Sequence, residues 1–169
     1  MDAMENILTR RSIRKFIKRE VQQELINEII EAAMSAPSAG NEQPWHFLVI
    51  NDRGVLDEIP KIHPYANMVK ETPVAILVCG DLSLEKYKGF WVQDCSAAIQ
   101  NLLLAVHAKG LGAVWTGIYP VDDRVQGFRK LFELPEAVIP LALIPIGHPD
   151  QKSGRENRYR QERVHLNRW

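Results

Sequence analysis

Four cations and a hydroxyl fall within six residues at Arg10-Arg11-Ser12-Ile13-Arg14-Lys15, in a chain of 169 residues whose formal net charge is zero. So local an excess asks for an anion nearby. Arginine binds phosphate oxygens through two parallel N–H bonds and never deprotonates, so Arg10 and Arg14, at i and i+4, can hold a phosphate and a ring carbonyl together. Ser12 adds a short neutral bond. The second chemistry-bearing stretch is Ala36-Pro37-Ser38-Ala39-Gly40-Asn41-Glu42-Gln43-Pro44-Trp45. Asn41 and Gln43 each carry donors and acceptors, as the mixed edge of a neutral heterocycle requires. Together the two stretches read as a nucleotide-like cofactor site. Separately, the first also reads as a solvated basic turn, and the second as a helix C-terminal turn with Gly40 as cap and Trp45 in the core.

Other constellations are excluded by spacing. Gly110-Leu111-Gly112 lacks G-x-G-x-x-G and lies after a helical pattern and before a strand, the reverse of a Rossmann nucleotide loop. Gly117, just past that strand, is a place where bare backbone can bring an N–H to a ligand. The five histidines, His46, His63, His107, His148 and His165, form no metal-ligand spacing. Neither Ser12 nor Ser38 sits in a nucleophile elbow, and Cys95 has no base beside it. With no acid–base or nucleophilic set, the reactivity of an enzyme of this sequence comes from a cofactor.

The bulk properties narrow the class. A hydrophobic content of 46% and a charged content of 25% are those of a globular protein, and the length fits one domain over residues 1–169. No apolar run reaches the roughly 20 residues of a membrane span, and the first residues lack a secretory signal, so a cytoplasmic location is expected. The balance of 21 bases against 21 acids gives no field for nucleic acid. Cys79 and Cys95, in no paired spacing, read as buried thiols in a reducing compartment.

These residues must be positioned by alternating helices and strands. Met4, Ile7 and Leu8 predict a short helix that delivers the basic cluster on a turn at its end. Apolar residues from Val21 to Met34 predict an amphipathic helix stopped by Pro37. Trp45 to Ile50 reads as a strand, Val55 to Ile59 as a helical turn, and residues 63–68 as a loop or short helix. Val74 to Cys79 is a strand covered on both faces. Trp91 to Ala108 is apolar on nearly every side and predicts a buried helix capped at Gly110. Ala113 to Ile118 reads as a strand, and Val125, Phe128, Leu131 and Phe132 mark a further helix. Val138 to Ile146 is a last strand, irregular or at an edge because of Pro140 and Pro145. The pattern predicts a sheet with helices on both faces and leaves strand direction open. From Gly147 the periodicity ends, yet Val164, His165, Leu166 and Trp169 need somewhere to pack, which fits a tail reaching across a second subunit.

Read in order, Arg10-Arg11-Ser12-Ile13-Arg14, the Pro37 to Trp45 loop, the Gly110 to Gly117 segment and the basic tail resemble the FMN-dependent nitroreductase family over essentially the whole chain. The resemblance implies an α+β fold with a central, mostly antiparallel sheet flanked by helices. It also implies an intertwined homodimer with an extended C-terminal tail and FMN at the interface. On the matching positions, Arg10, Arg11, Ser12 and Arg14 hold the phosphate and the pyrimidine side of the flavin. Pro37, Ser38, Asn41 and Gln43 line the ring or come from the other subunit. The Thr116-Gly117 backbone lies near flavin N5, and Arg155 or Arg158 completes the phosphate site.

The implied activity is transfer of electrons from NADH or NADPH through FMN to nitroaromatic, quinone or related acceptors by a ping-pong mechanism. A cation near N1 and the C2 carbonyl, Arg14 or Arg10, then stabilises the charge that builds there. The segment between Asp81 and Trp91 is shorter than in larger members, which implies a more open site, with His63, Tyr65, Lys70 and Phe90 as candidates on the substrate side. A flavin-storage protein, or a relative that dehalogenates or fragments flavin, are the alternative readings.

Overall fold

The computed structural model describes residues 2–152 and 154–169. Its order is α1 (Ala3–Thr9), β1 (Phe16–Ile17), α2 (Gln23–Met34), β2 (Trp45–Ile50), α3 (Arg53–Ile62), β3 (Val74–Asp81), α4 (Trp91–Ala108), β4 (Gly112–Ala113), β5 (Thr116–Gly117), α5 (Asp122–Leu131) and β6 (Val138–Pro149). The six strands form one sheet, every pairing is antiparallel, and β4 and β5 both pair with β6. Strand direction, left open by periodicity, is thus the one the resemblance implies.

The pleat of β3 divides the core in two. Val74, Ile76 and Val78 pack with Ile29 of α2 and Ile99 and Leu102 of α4, while Ala75, Leu77 and Cys79 pack with Leu56 and Ile59 of α3 and Phe128 of α5. Period-2 alternation therefore feeds two helical layers from one strand, and all of β3 before Asp81 is buried. The end of α4 is a Schellman cap. Gly110, at φ 73°, donates to His107 O, and Leu111 N donates to Val106 O. Gly80 is required by a close approach rather than a turn, since a Cβ there meets the Trp91 ring at 2.4 Å. Gly80→Ala is expected to cost about 1–3 kcal/mol by displacing that indole, read as a lower urea midpoint; an unchanged midpoint would remove the contact from the stability argument.

Three expectations need correction. The strand expected at Val138 to Ile146, irregular or at an edge, is irregular but not at an edge: β6 is the hub that pairs with β1, β3, β4 and β5. Its prolines are accommodated locally, with Pro140 opposite a register shift at Val78/Cys79. Pro145 accounts for the second correction, because Ala113 to Ile118 does not form one continuous strand. Gly112↔Gly147, Ala113↔Ile146, Thr116↔Leu143 and Gly117↔Ala142 share a single register, interrupted at the position where Pro145 offers no N–H. Third, the helical turn at 55–59 is a ten-residue helix, α3, whose N-cap Asp52 accepts from Val55 N at 2.9 Å. The residue 63–68 region closes in a 3-10 turn at Asn67–Lys70.

The tail leaves this body. Every described residue from 154 to 169 is exposed, and Trp169 and Leu166 are 102% and 84% accessible. No helix among the described residues is long and apolar enough to cross a membrane.

Candidate functional site

The basic cluster is built by the end of α1 and the return of β6. Arg10 is the C-cap of α1, its N–H bonded to Asn6 O, so the chain turns there and frees the next residues from the helix. Ile13 N donates to Ala113 O, Phe16 pairs with Pro149, and Asp150 N donates to Lys15 O. Gln151 then clasps the run from the tail side, its Oε1 accepting from Arg14 N at 2.8 Å and Lys15 N at 3.2 Å. The backbone N–H groups of Arg10, Ile13, Arg14 and Lys15 are thereby satisfied without their side chains.

Of the arginines in the cluster, Arg158 pairs with Glu156, while Arg10 and Arg11 meet no acidic side chain among the described residues. Arg10 is held below the ordinary guanidinium range by burial, then by the positive charges of Arg158 and Arg11. Arg11 bonds Arg10 O through Nη1, while its Nε and Nη2 are buried with no partner among the described residues. His107 is pushed down by burial and by Arg10 and donates to Thr9 Oγ1, because that hydroxyl spends its own proton on Glu5 O. Three guanidinium groups, one of them with two orphaned donors, are costly in isolation, and a phosphate group is the kind of anion that would stabilise them. Both tail candidates are exposed; the charge of Arg158 lowers Arg10, whereas Arg155 makes no hydrogen bond or ion pair among the described residues. Ser12, half-buried, uses its carbonyl for Gln151 and leaves its hydroxyl uncommitted.

Arg14 opens onto a cavity of about 400 Å³ that it lines with His63, Tyr65, Met68, Val114, Trp115, Thr116, Gly117 and Arg124. Gly117 faces open space here, with nothing within 4 Å of a Cβ added to it. Its carbonyl is fixed by two donors at 2.9 Å each, His63 Nε2 and Arg124 Nη1. The acceptor has no proton to give, so His63 carries hydrogen on Nε2; burial and the Arg124 charge keep the imidazole neutral. The Thr116 hydroxyl is not part of the open surface, since it donates to Leu143 O at 2.7 Å. Arg124 lies over the Tyr65 ring at 5.4 Å, which holds both at the cavity mouth. Sequence reasoning finds His63 and Tyr65 but misses Arg124, which carries no motif, and Trp115.

The 37–43 loop lies elsewhere in the chain. Gly40, Asn41 and Gln43 all have positive φ, and Gln43 N bonds Ser38 Oγ while Gln43 Nε2 bonds Asn41 Oδ1. Pro37, Asn41 and Gln43 are exposed, and among the described residues no hydrogen bond joins the loop to the arginine cluster or to Gly117. It is anchored instead to the start of α4 and the 85–87 turn: Asp94 Oδ1 accepts from Ala39 N, and Glu42 Oε2 accepts from Lys86 N and Tyr87 N. Asp94, which anchors this loop, is a residue the sequence reading does not single out; its signal is a lone acid on the buried face of an apolar helix. Phe90 and Tyr87 meet edge to face beside this loop, while Lys70 lines a separate basic hollow with Lys18, Arg19 and Arg53. No group of three metal-ligating side chains occurs among the described residues.

Comparison with known proteins places the fold in a family. The nitroreductase family model matches residues 7–76 and 61–148. A Methanothermobacter thermautotrophicus protein named "Putative NADH dehydrogenase/NAD(P)H nitroreductase" is 57% identical over 169 residues, covering 100% of this chain and 88% of that protein. A Parabacteroides distasonis crystal structure of the same name superposes with a TM-score of 0.94 at 46% identity, covering 98% of each chain. An FMN-dependent nitroreductase from Clostridium difficile gives a TM-score of 0.91 at 26% identity, covering 98% of this chain and 99% of that one. With the family model running from residue 7 to residue 148 and a relative identical at more than half of the positions along the entire chain, this protein belongs to the nitroreductase family.

Proposed function

We propose that the protein is an NAD(P)H-dependent FMN oxidoreductase, acting as a homodimer on nitroaromatic, quinone or related acceptors by alternating half-reactions. The observation that carries the reading is the clustering of Arg10, Arg11 and Arg158, with two orphaned guanidinium nitrogens on Arg11, together with a cavity lined by Arg14 and the bare Gly117 backbone. The related structure from C. difficile is FMN-dependent, and the M. thermautotrophicus relative is named for NAD(P)H chemistry, which supports the choice of cofactor and donor. The whole of residues 1–169 works as one flavin-binding domain.

In this reading Arg10, Arg11 and Arg158 hold the phosphate, with the Ser12 hydroxyl as a neutral donor. Arg14 faces the pyrimidine side and lowers the cost of negative charge there. His63 and Arg124 fix the Gly117 peptide so that its orientation does not have to be reorganised during turnover. The 37–43 loop, remote from this cluster within one chain, serves the flavin site of the neighbouring subunit. Bound FMN supplies the two-electron carrier that no side chain provides. Tyr65 and Trp115 present aromatic surface at the mouth, which suits planar acceptors.

The test is the visible spectrum of purified protein supplied with FMN, repeated after anaerobic NADH or NADPH. Flavin bands that co-elute with the protein and then bleach are expected. A chain that takes up no FMN overturns the site; bound flavin that neither nucleotide bleaches turns the assignment to flavin storage.

A further inference from the structure

Glu42 and Asp94 are 7% and 5% exposed, and each spends one carboxyl oxygen on backbone N–H donors. The other two oxygens, Glu42 Oε1 and Asp94 Oδ2, are buried and have no partner among the described residues, although the two side chains lie within hydrogen-bonding reach of each other. Two buried carboxylates in contact repel, and two orphaned acceptors cost desolvation; one proton between them removes both penalties. We propose that Asp94 and Glu42 share a single proton between Oδ2 and Oε1, and that this acid pair is the positioning device that clamps the 38–43 loop in its flavin-receiving shape. The effect on FMN rests on the function proposed above; the clamp itself does not.

The surroundings fit such a role. The clamped loop holds Gly40, Asn41 and Gln43 at positive φ, a conformation that non-glycine residues keep only when neighbours enforce it. Tyr87 closes over Gly40, where an added Cβ meets its ring at 2.4 Å, and Lys86 Nζ bonds Gly40 O. Both residues belong to the turn whose N–H groups Glu42 accepts, so the pair ties three segments together. The charged and titratable groups facing it are Lys86 and Glu85 from the turn, Cys95 from α4, and each other. Burial first, then Glu42 and Glu85, raise the Asp94 carboxyl against the Ala39 N–H. Glu42, despite burial, is held low by the Lys86 and Tyr87 N–H groups and by Asp94.

The sign follows. The closed loop keeps one proton where an opened loop, with two solvated carboxylates, keeps none, so closure weakens as pH rises from the ordinary carboxylate range toward the raised Asp94 value and then levels off. The experiment is amide hydrogen exchange of the full chain at Ala39, Lys86 and Tyr87, corrected for intrinsic rates, from about pH 5 to about pH 9. Wild-type protection is expected to fall by up to about tenfold per pH unit. Asp94→Asn keeps a donor toward Glu42 and an acceptor for Ala39 N, so its protection is expected to stay flat, and Glu42→Gln, which donates toward Asp94, serves if the first variant does not fold. A flat wild-type profile, or the wild-type slope in either variant, overturns the shared proton. If neither variant folds, the infrared carbonyl band of a protonated carboxyl in the wild type at neutral pH decides it, and its absence overturns the proposal. FMN affinity measured on the same samples separates the two readings: protection that follows pH with unchanged FMN affinity leaves the clamp standing and removes the loop from the flavin site.

Discussion

A protein carrying Arg10→Ala and Arg158→Ala together is expected to lose FMN on gel filtration, while the wild type keeps it. Each charge-assisted contact to a phosphate contributes about 1.5–3 kcal/mol, and a factor of ten corresponds to about 1.4 kcal/mol. Removing both therefore weakens binding by roughly a hundredfold to ten-thousandfold. The two shares are unequal. Arg10 is half-buried at the end of α1, where its charge is poorly screened, whereas the Arg158 side chain is 66% exposed and also bonds Glu156. The Arg158→Ala single variant should sit at the low end and lose its effect in high salt. Arg155→Ala serves as the control, since Arg155 neither meets Arg10 nor makes a polar contact among the described residues, and its FMN affinity should match that of the wild type. Full retention of flavin by the double variant would take the cluster out of the cofactor site.

The logic of that cluster is visible in the sequence because charge density is a local property. Four cations in six residues announce an anion whatever the fold. The continuous apolar run at Val74 to Cys79 and Gly110, two residues beyond Ala108, are equally local signals, and both lead to the observed elements. What is not legible is partnership across the chain. Nothing in the 138–149 segment says that it is the hub of the sheet, and Pro140 and Pro145 argue for an edge. Only the constant register of residues 112–117 against β6 shows that the Pro145 gap falls between two bridges.

Arg124 is invisible for the same reason. Its role exists because α5 carries it back to the Gly117 carbonyl that His63 reaches from the end of α3. The amide pair Asn41 and Gln43 is a different case. Residue type marks the loop, yet these side chains bond each other within one chain, and the loop's fixity comes from Glu42 and Asp94 beneath it. Residue chemistry locates the ligand; tertiary contacts locate what holds the residues still.

Truncation after Arg160 is expected to convert the proposed dimer to a monomer while leaving the fold of residues 2–149 intact. The segment it removes has no place on its own body: Val164, Leu166 and Trp169 are exposed, and so are Met4 and Ile7 on α1. Burying an aliphatic or aromatic side chain of this size contributes about 1.5–3 kcal/mol. Three per tail, doubled by two-fold symmetry, give on the order of 10 kcal/mol of gross association energy before ordering costs are taken off. That is enough to decide whether the subunits stay together at micromolar concentration. A second cut, after Pro149, also removes Gln151 and Arg158. Gln151 bonds Arg14 N, Lys15 N and Ser12 O, so this cut should release the basic run from β6 as well. The shorter truncation thus tests the embrace alone, and the longer one adds loss of the phosphate clamp. Light scattering reads the mass and the flavin spectrum reads the clamp. A full dimer mass after the cut at Arg160 would mean that the exposed face of α1 and the flanks of α4 hold the subunits together without the tail.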